Sequence, residues 1–486
     1  MAIEDMWKWL DSVLNEFRGC FSRKAAYKWF VIVVIGFMIR SDKLGITSII
    51  RELSINPGLY YNILHFFRAE SWNVLTMSTC FIEIIMRSGL LYMEEGMPIL
   101  AGDGTKVGKE SKRAPGVKKQ HQESEDSSKA EYIYGHLYGA VGVLIGNVTK
   151  LFCVPIMCTI HDGVDEIKKW DDGTYEKVSH VVQMIKDGSK VAAKLGESIF
   201  TLDRYFLSVP ALEELEKEEK KAGKKLLNII TKAKKTCTAY EKPEKKAGRG
   251  RPAKKGKDVK LIKLFTEKID EFIEAKVMLY GEEKTIQYYS IDLLWGIKLY
   301  RELRFVLVKC GEELTILVST NLNFSPEKII RLYGYRFKIE VTFKQLKQII
   351  AGFSYHFWSK VMPKLNKYLK KGEKDERLKK VTKEKERGKI ISALKAIEGY
   401  VMLSCIALGL LQMMSIIFSE KLDLSQYRWL RTKSNKIVSE GTISEVMRKS
   451  IFQVFEKQGN LSILQIIKSK QLQTMEDIYW DDSKTA

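Results

Sequence analysis

Paired cysteines are missing from this chain: its seven cysteines (20, 80, 153, 158, 237, 310, 405) are odd in number and nowhere form a C-x2-C pair. Neither a disulfide framework nor a zinc site is indicated, and a reducing cytoplasm is the expected setting. No G-x4-G-K segment occurs, which removes the usual phosphate-cradling loop of nucleotide hydrolysis. The opening, MAIEDMWKWLD, places acidic residues where a secretory signal would be basic. Long apolar runs are scarce. Trp29 to Ile39 is too short to cross a bilayer, whereas Gly399 to Phe418 has the roughly 20 residues that a spanning helix needs. Ser404 and Gln412 interrupt that second run and dense charge precedes it, so a buried core helix is expected, with a membrane span as the competing reading. Acids are in deficit: 81 Lys plus Arg face 60 Asp plus Glu, a net charge of +21 that suggests a polyanionic partner. A hydrophobic content of 45% marks a folded chain, and 486 residues exceed one core, so about two to four domains are expected.

The stretch around which the chain is organised is Tyr333 to Lys347, YGYRFKIEVTFKQLK. Tyr333, Arg336, Glu340 and Lys347 stand at intervals of 3, 4 and 7, which on a continuous helix confines them to roughly 60° of arc. One polar stripe thus carries a phenol, two cations and a carboxylate, with Gly334 as the point just inside the motif where the helix can be interrupted. Phe337, Ile339, Val341, Phe343, Leu346, Ile349 and Ile350 supply an apolar side to anchor the helix in a core. An amphipathic surface helix with a solvated charged face is the plain alternative. Spacing argues otherwise: at about 5% abundance per residue type, Y-x2-R-x3-E-x6-K arises by chance in roughly a few per thousand chains of this length.

That pattern resembles the signature of the DDE transposases of bacterial insertion sequences, specifically the IS-four group. The resemblance implies that Glu340 is the third metal-binding carboxylate and that Tyr333, Arg336 and Lys347 contact DNA phosphates. Two upstream aspartates are then required. PILAGDGTKV reads as a buried strand, Pro98 to Ala101, ending in Gly102-Asp103-Gly104, where a ligand can approach the carboxylate. A polar stretch, Lys106 to Lys129, is expected to be a flexible loop. Apolar strands follow at Tyr132 to Ile145 and Leu151 to Ile160, then a helix at Val178 to Leu195. Ser198 to Leu202 is a further strand, running into Asp203-Arg204-Tyr205-Phe206. Three strands, a helix and a strand, with acids after the first and fourth, follow the order of an RNase H-like core, and that analogy brings Asp103 and Asp203 together. Asp162, Asp165 and Glu166, or Glu123, Glu125 and Asp126, are rival acids without a buried strand immediately before them.

The fold class expected is α/β and multi-domain: an RNase H-like mixed sheet flanked by helices, with an N-terminal helical domain and a β-rich insertion. Residues 1–95 form the helical domain, in which Leu44 to Phe67, broken at Asn56-Pro57-Gly58, is compatible with a helix-turn-helix or a plain helical hairpin. Residues 96–240 and 325–420 form the two parts of the core, 241–324 a basic arm and the insertion, and 421–486 a C-terminal helical region. The arm, residues 241–260, holds nine Lys or Arg against three acids. Its GRGRP segment, with Arg249 and Arg251, is similar to hooks that enter A·T-rich minor grooves, a solvated linker being the alternative. In the insertion, Trp295 is the candidate for stacking on a base flipped from the DNA end, with Tyr289 and Tyr300 as rivals, although a strand Trp also serves as core. FSYHFWSK (Phe353 to Lys360) is aromatic and basic, and WLRTKSNK (Trp429 to Lys436) is a further basic segment.

Asp103, Asp203 and Glu340 are hard oxygen donors that suit Mg²⁺, with Mn²⁺ as a substitute, and need no His or Cys. The resemblance implies cleavage at the element's ends to free a 3′-hydroxyl, its transfer to target DNA, a synaptic dimer on double-stranded DNA, and a cytoplasmic, nucleoid-associated protein with no membrane partner. A non-cutting DNA-binding regulator or transposition inhibitor is the alternative, and a structure-specific nuclease is a nearer one.

Overall fold

The computed structural model describes residues 2–42, 44–122, 130–244, 253–279, 281–368, 373, 375–422 and 438–472, apart from the Phe455 side chain. Among these residues, 13 strands form one mixed sheet with helices on its flanks, an α/β architecture of the RNase H-like kind. The first five principal strands are β1 (Met97–Gly108), β2 (Tyr132–Asn147), β3 (Lys150–Ile160), β4 (Ser198–Leu202) and β5 (Leu227–Lys232). They lie side by side in the order β3-β2-β1-β4-β5. The pairs β3/β2 and β2/β1 are antiparallel, as two-residue and loop connections allow, while β1/β4 and β4/β5 are parallel. The parallel steps need crossovers. The β3-to-β4 connection includes helix α6 (His180–Leu195), and α7 (Val209–Ala222) carries β4 to β5.

The expected insertion is four antiparallel strands, β6 (Ile273–Leu279), β7 (Glu282–Trp295), β8 (Arg301–Cys310) and β9 (Glu313–Ser319). They do not form a separate sheet. β9 pairs with β5 through Leu317↔Lys232 and its neighbours, so the insertion extends the core sheet, and buried Phe305, Leu307 and Val318 continue its apolar face.

Helices α1 (Ala2–Glu16), α2 (Lys24–Ile39), α3 (Ile46–Glu52), α4 (Tyr60–Arg68) and α5 (Val74–Arg87) build the N-terminal part. The break between α3 and α4 falls at Asn56, whose side chain accepts a hydrogen bond from the Gly58 amide at 2.8 Å, with Pro57 opening the next turn. After β9, Ser325 caps α8 (Pro326–Gly334) by accepting from the Lys328 amide, as its capping chemistry predicts. Next come α9 (Phe337–Gln348), α10 (Glu384–Phe418), α11 (Glu440–Lys457) and α12 (Ser462–Lys468).

The long apolar run lies in α10, whose 35 residues span about 50 Å. It is long and apolar enough to cross a membrane, yet 89% of its most apolar 18-residue window is buried by the rest of the protein. It therefore serves as the central core helix, apolar all round because α2, α5, α11 and β3 surround it. The C-terminal helices pack back on the N-terminal ones: Trp7 Nε1 donates to Ser450 Oγ at 3.0 Å, and Asp11 accepts from Ser462 Oγ at 2.7 Å. One continuous apolar core thus runs from Met6 through the sheet to Ile467.

Candidate catalytic site

Asp103 does not end a strand, as the flanking glycines suggested. It lies within β1, which continues to Gly108, paired with Ala140 of β2. Gly102 and Gly104 serve packing here. A Cβ on Gly102 would stand 2.6 Å from the Phe200 ring and one on Gly104 2.8 Å from His180 Nε2. Since side chains alternate across a strand, these two positions face α6 and admit its neighbours closely, whereas Asp103 and Thr105 face α9. The polar stretch after Asp103 is also more ordered than expected: Lys118–His121 pairs with Tyr132 to Gly135 as an edge strand, and Gln120 is buried.

The parallel register sets the second acid beside the first. Gly102 is opposite Leu202, so Asp203 leaves β4 one residue beyond, next to Asp103. The Asp203 carbonyl accepts from Thr231 Oγ1 at 2.8 Å, which ties this strand end to β5.

The signature is divided between two helices. The α-helical hydrogen bonding of α8 ends at Gly334 and that of α9 begins at Phe337, while Tyr335 and Arg336 keep right-handed helical angles. Tyr333 and Glu340 are therefore on different helices, against the single stripe expected from spacing, and the lack of a Cβ at Gly334 is where the first helix frays. The apolar anchor holds through Ile339, Phe343, Leu346 and Ile350, all buried; Phe337 instead is 47% exposed, because the break turns it outwards at the start of α9.

Arg336 brings two of the acids together. Its guanidinium donates to Asp103 Oδ2 at 3.2 Å and to Glu340 Oε1 at 2.5 Å, while Asp103 Oδ1 accepts from the Gly104 amide at 2.7 Å. Burial pushes the Asp103 carboxyl up to about 6, against the pull of Arg336 and the Gly104 N–H, and the charges of Asp203 and Glu340 push the same way. Burial opposes the charge on Arg336, but Tyr333, Asp103 and Glu340 together raise its pKa. Lys347 Nζ donates to Thr105 Oγ1 at 2.9 Å, two residues along β1 from Asp103. Thus Asp103, Asp203, Glu340, Tyr333, Arg336 and Lys347 meet at one place.

The donors suit a hard divalent ion, being carboxylate oxygens with a guanidinium between two of them in the position of a neutralising cation. No group of three His, Cys, Asp or Glu among the described residues stands close enough together to hold a metal ion as it is. The rival acids are otherwise engaged: Asp162 pairs with Lys118 at 2.6 Å, Asp165 with Lys177 at 3.0 Å and Glu166 with Lys169 at 4.0 Å. Glu123, Glu125 and Asp126, together with Arg249, Arg251 and the segment from Trp429 to Lys436, lie outside the described residues.

Residues 172–361 match the family model described as Transposase DDE domain. The match supports a DDE transposase. It includes Asp203 and Glu340 and begins after Asp103. None of the curated proteins matches the chain, and no solved structure does.

Within the matched segment, Trp295 closes β7, half-buried against the core. Tyr300 packs edge-on against Tyr240 with centroids 5.6 Å apart, and Tyr289 lies 5.9 Å from Phe272. Thr105 is a partner of Lys347 that sequence reasoning missed; only its place two residues after Asp103, on the same strand face, could have signalled it. A buried chain of hydrogen bonds was missed too. Tyr138 donates to Tyr355 at 2.8 Å, and Tyr355 in turn lies 2.6 Å from His136 Nδ1. His136 Nε2 is 2.7 Å from the Pro115 carbonyl, and burial depresses the His136 pKa to about 3. On the opposite face of the sheet from Asp103, His161 contacts His180 at 2.8 Å and Asp187 at 3.0 Å, a buried set that fastens β3 to α6.

Proposed function

We propose that this chain is a transposase that binds the ends of an insertion sequence, hydrolyses a phosphodiester there to free a 3′-hydroxyl, and joins that end to target DNA. What supports the reading is the junction of Asp103 and Glu340 through Arg336, with Asp203 beside Asp103. In hydrolysis, water attacks phosphorus, the P–O3′ bond breaks and the 3′-oxygen leaves with a proton. In joining, that 3′-hydroxyl attacks a target phosphate and displaces the target's own 3′-oxygen. Asp103, Asp203 and Glu340 would hold Mg²⁺, or Mn²⁺ in its place, which supplies stabilisation of the charge that gathers on the phosphate oxygens and acidifies a bound water.

The remaining roles belong to the chain's own side chains. Arg336, once released from the two carboxylates, grips a phosphate through two parallel hydrogen bonds, and Lys347, aimed by Thr105, adds a point charge. Tyr333 orients the same backbone. Trp295 stacks on a base at the opened end, and Arg249 and Arg251 enter a minor groove. In this reading residues 1–95 recognise the terminal repeat, and two copies join two DNA ends in a synaptic complex at the nucleoid.

The test is cleavage of a duplex carrying the element's end, with Mg²⁺, by wild type and by Asp103→Asn, Asp203→Asn and Glu340→Gln. Each variant is expected to bind the duplex and leave it uncut. Full cutting by any variant removes that residue from the site, and a wild type that binds ends without ion-dependent nicking favours the non-cutting regulator.

A further inference from the structure

A trough leads from the far end of β1 towards the N-terminal helices. It consists of two clefts of about 880 and 870 Å³ that share His356, Phe357 and Trp358. The first is lined by residues 108–114 and 353–358, and the second is walled by α4 and the start of α10.

Its charge is one-sided. Lys112 and Lys364 line the first cleft, and Arg68, Lys360, Lys385 and Lys389 the second; Glu110 is the one acid lining either among the described residues. None of the five lysines is paired with a carboxylate among the described residues. Between them stand two aromatic rings in the open, Tyr61 at 76% exposure and Trp358 at 44%. Unpaired cations interleaved with exposed aromatics suit a nucleic-acid backbone better than a protein or lipid face.

The trough is also held in shape by other cations. Lys109 Nζ donates to the Phe353 carbonyl and sits 3.5 Å from the centre of the Tyr355 ring, which the His136 and Tyr138 chain fixes in turn. Arg113 donates to the carbonyls of Lys360 and Met362, and Arg68 to that of Trp358 at 3.4 Å. These inner groups bind backbone and brace the floor, which leaves the lysines free for something outside.

We propose that the trough holds the sugar-phosphate backbone of duplex DNA about half a helical turn from the bond that is cut. The claim rests on the transposase reading and assigns a path to its substrate. Asp103 and Gly108 are five residues apart on β1, about 17 Å at roughly 3.3 Å per residue. That equals about five base pairs at 3.4 Å each.

The experiment uses the full chain in metal-free buffer and a 40-base-pair duplex that carries one terminus of the genetic element encoding it. Binding is followed by fluorescence anisotropy across a salt series, and protection of the duplex by hydroxyl-radical footprinting. The Lys360→Ala/Lys385→Ala/Lys389→Ala variant is expected to lower the slope of log affinity against log salt by about 2.7, at about 0.9 for each phosphate that a lysine neutralises. Protection further than about five base pairs from the cleaved bond should disappear with it. Lys112→Ala/Lys364→Ala, in the first cleft, is expected to remove the protection centred about five base pairs from that bond, with a slope change of about 1.8. Thermal melts confirm that both variants are folded. Unchanged slopes and footprints beside a wild type that binds would overturn the trough and leave the transposase reading standing. A wild type that binds no duplex would overturn both.

Discussion

Replacing Asp103 by Asn should stabilise the metal-free protein at alkaline pH. The carboxyl is displaced from 3.8 to about 6, first by burial and then by Asp203 and Glu340, and its side chain is only 23% exposed. For an acid whose native pKa is raised, the folded state holds the proton more tightly than the unfolded one. Stability therefore falls as pH rises from about 4 to about 6 and stays reduced above that. A displacement of about 2.2 units at 1.36 kcal/mol each amounts to about 3 kcal/mol. Asn keeps the shape and an acceptor for the Gly104 amide but gives up the ion pair with Arg336, so a gain of about 1–3 kcal/mol is expected at pH 8. At pH 4 little difference should remain. Urea denaturation in the presence of a chelator, at both pH values, measures this. Equal stabilities at pH 8, or a less stable variant, would refute the argument that burial, with Asp203 and Glu340 adding to it, disfavours the ionised Asp103 carboxylate in the metal-free site despite Arg336.

Two other perturbations probe how the site is supported. Gly102→Ala places a methyl 2.6 Å from the Phe200 ring and 2.8 Å from Leu202; overpacking of this kind should cost about 1–3 kcal/mol in denaturant unfolding, and an unchanged midpoint would show that β1 and β4 are not so closely apposed. Arg40 is buried and donates to the carbonyls of Gly45, Ile350 and Ala351 and to the Tyr400 hydroxyl. Arg40→Met leaves those acceptors unpaired where the N-terminal helices meet the end of the signature segment, so a loss of about 3 kcal/mol is expected, and a neutral result would mean that water replaces the guanidinium.

The sheet was legible because its strands are apolar runs bounded by turns. Ser198–Leu202 was recovered to the residue, and helix α10 was recognised as core from its polar interruptions. The analogy that set Asp103 beside Asp203 supplied what periodicity could not, since side-by-side parallel strands leave no trace in either sequence segment. Two features escaped for local reasons, and a third, the break in the signature, did not. Glycine pairs signal turns and close packing alike, so Gly102 and Gly104 concealed the continuation of β1. The interruption read at Gly334 is where the first helix ends, and because Tyr335 and Arg336 keep helical angles the spacing of the motif survives it. The joining of β9 to β5 depends on Leu317 meeting Lys232 across 85 residues, and neither alternating run names its partner.

The central claim is that carboxylates from β1, the end of β4 and α9 act as one ligand set. Titration of Mn²⁺ into the full chain, bound to a duplex end and followed by electron paramagnetic resonance of the free ion, tests it most directly. Wild type should take up the ion, and Asp103→Asn, Asp203→Asn and Glu340→Gln should each weaken uptake by about tenfold or more. Uptake unchanged in all three variants would contradict the account.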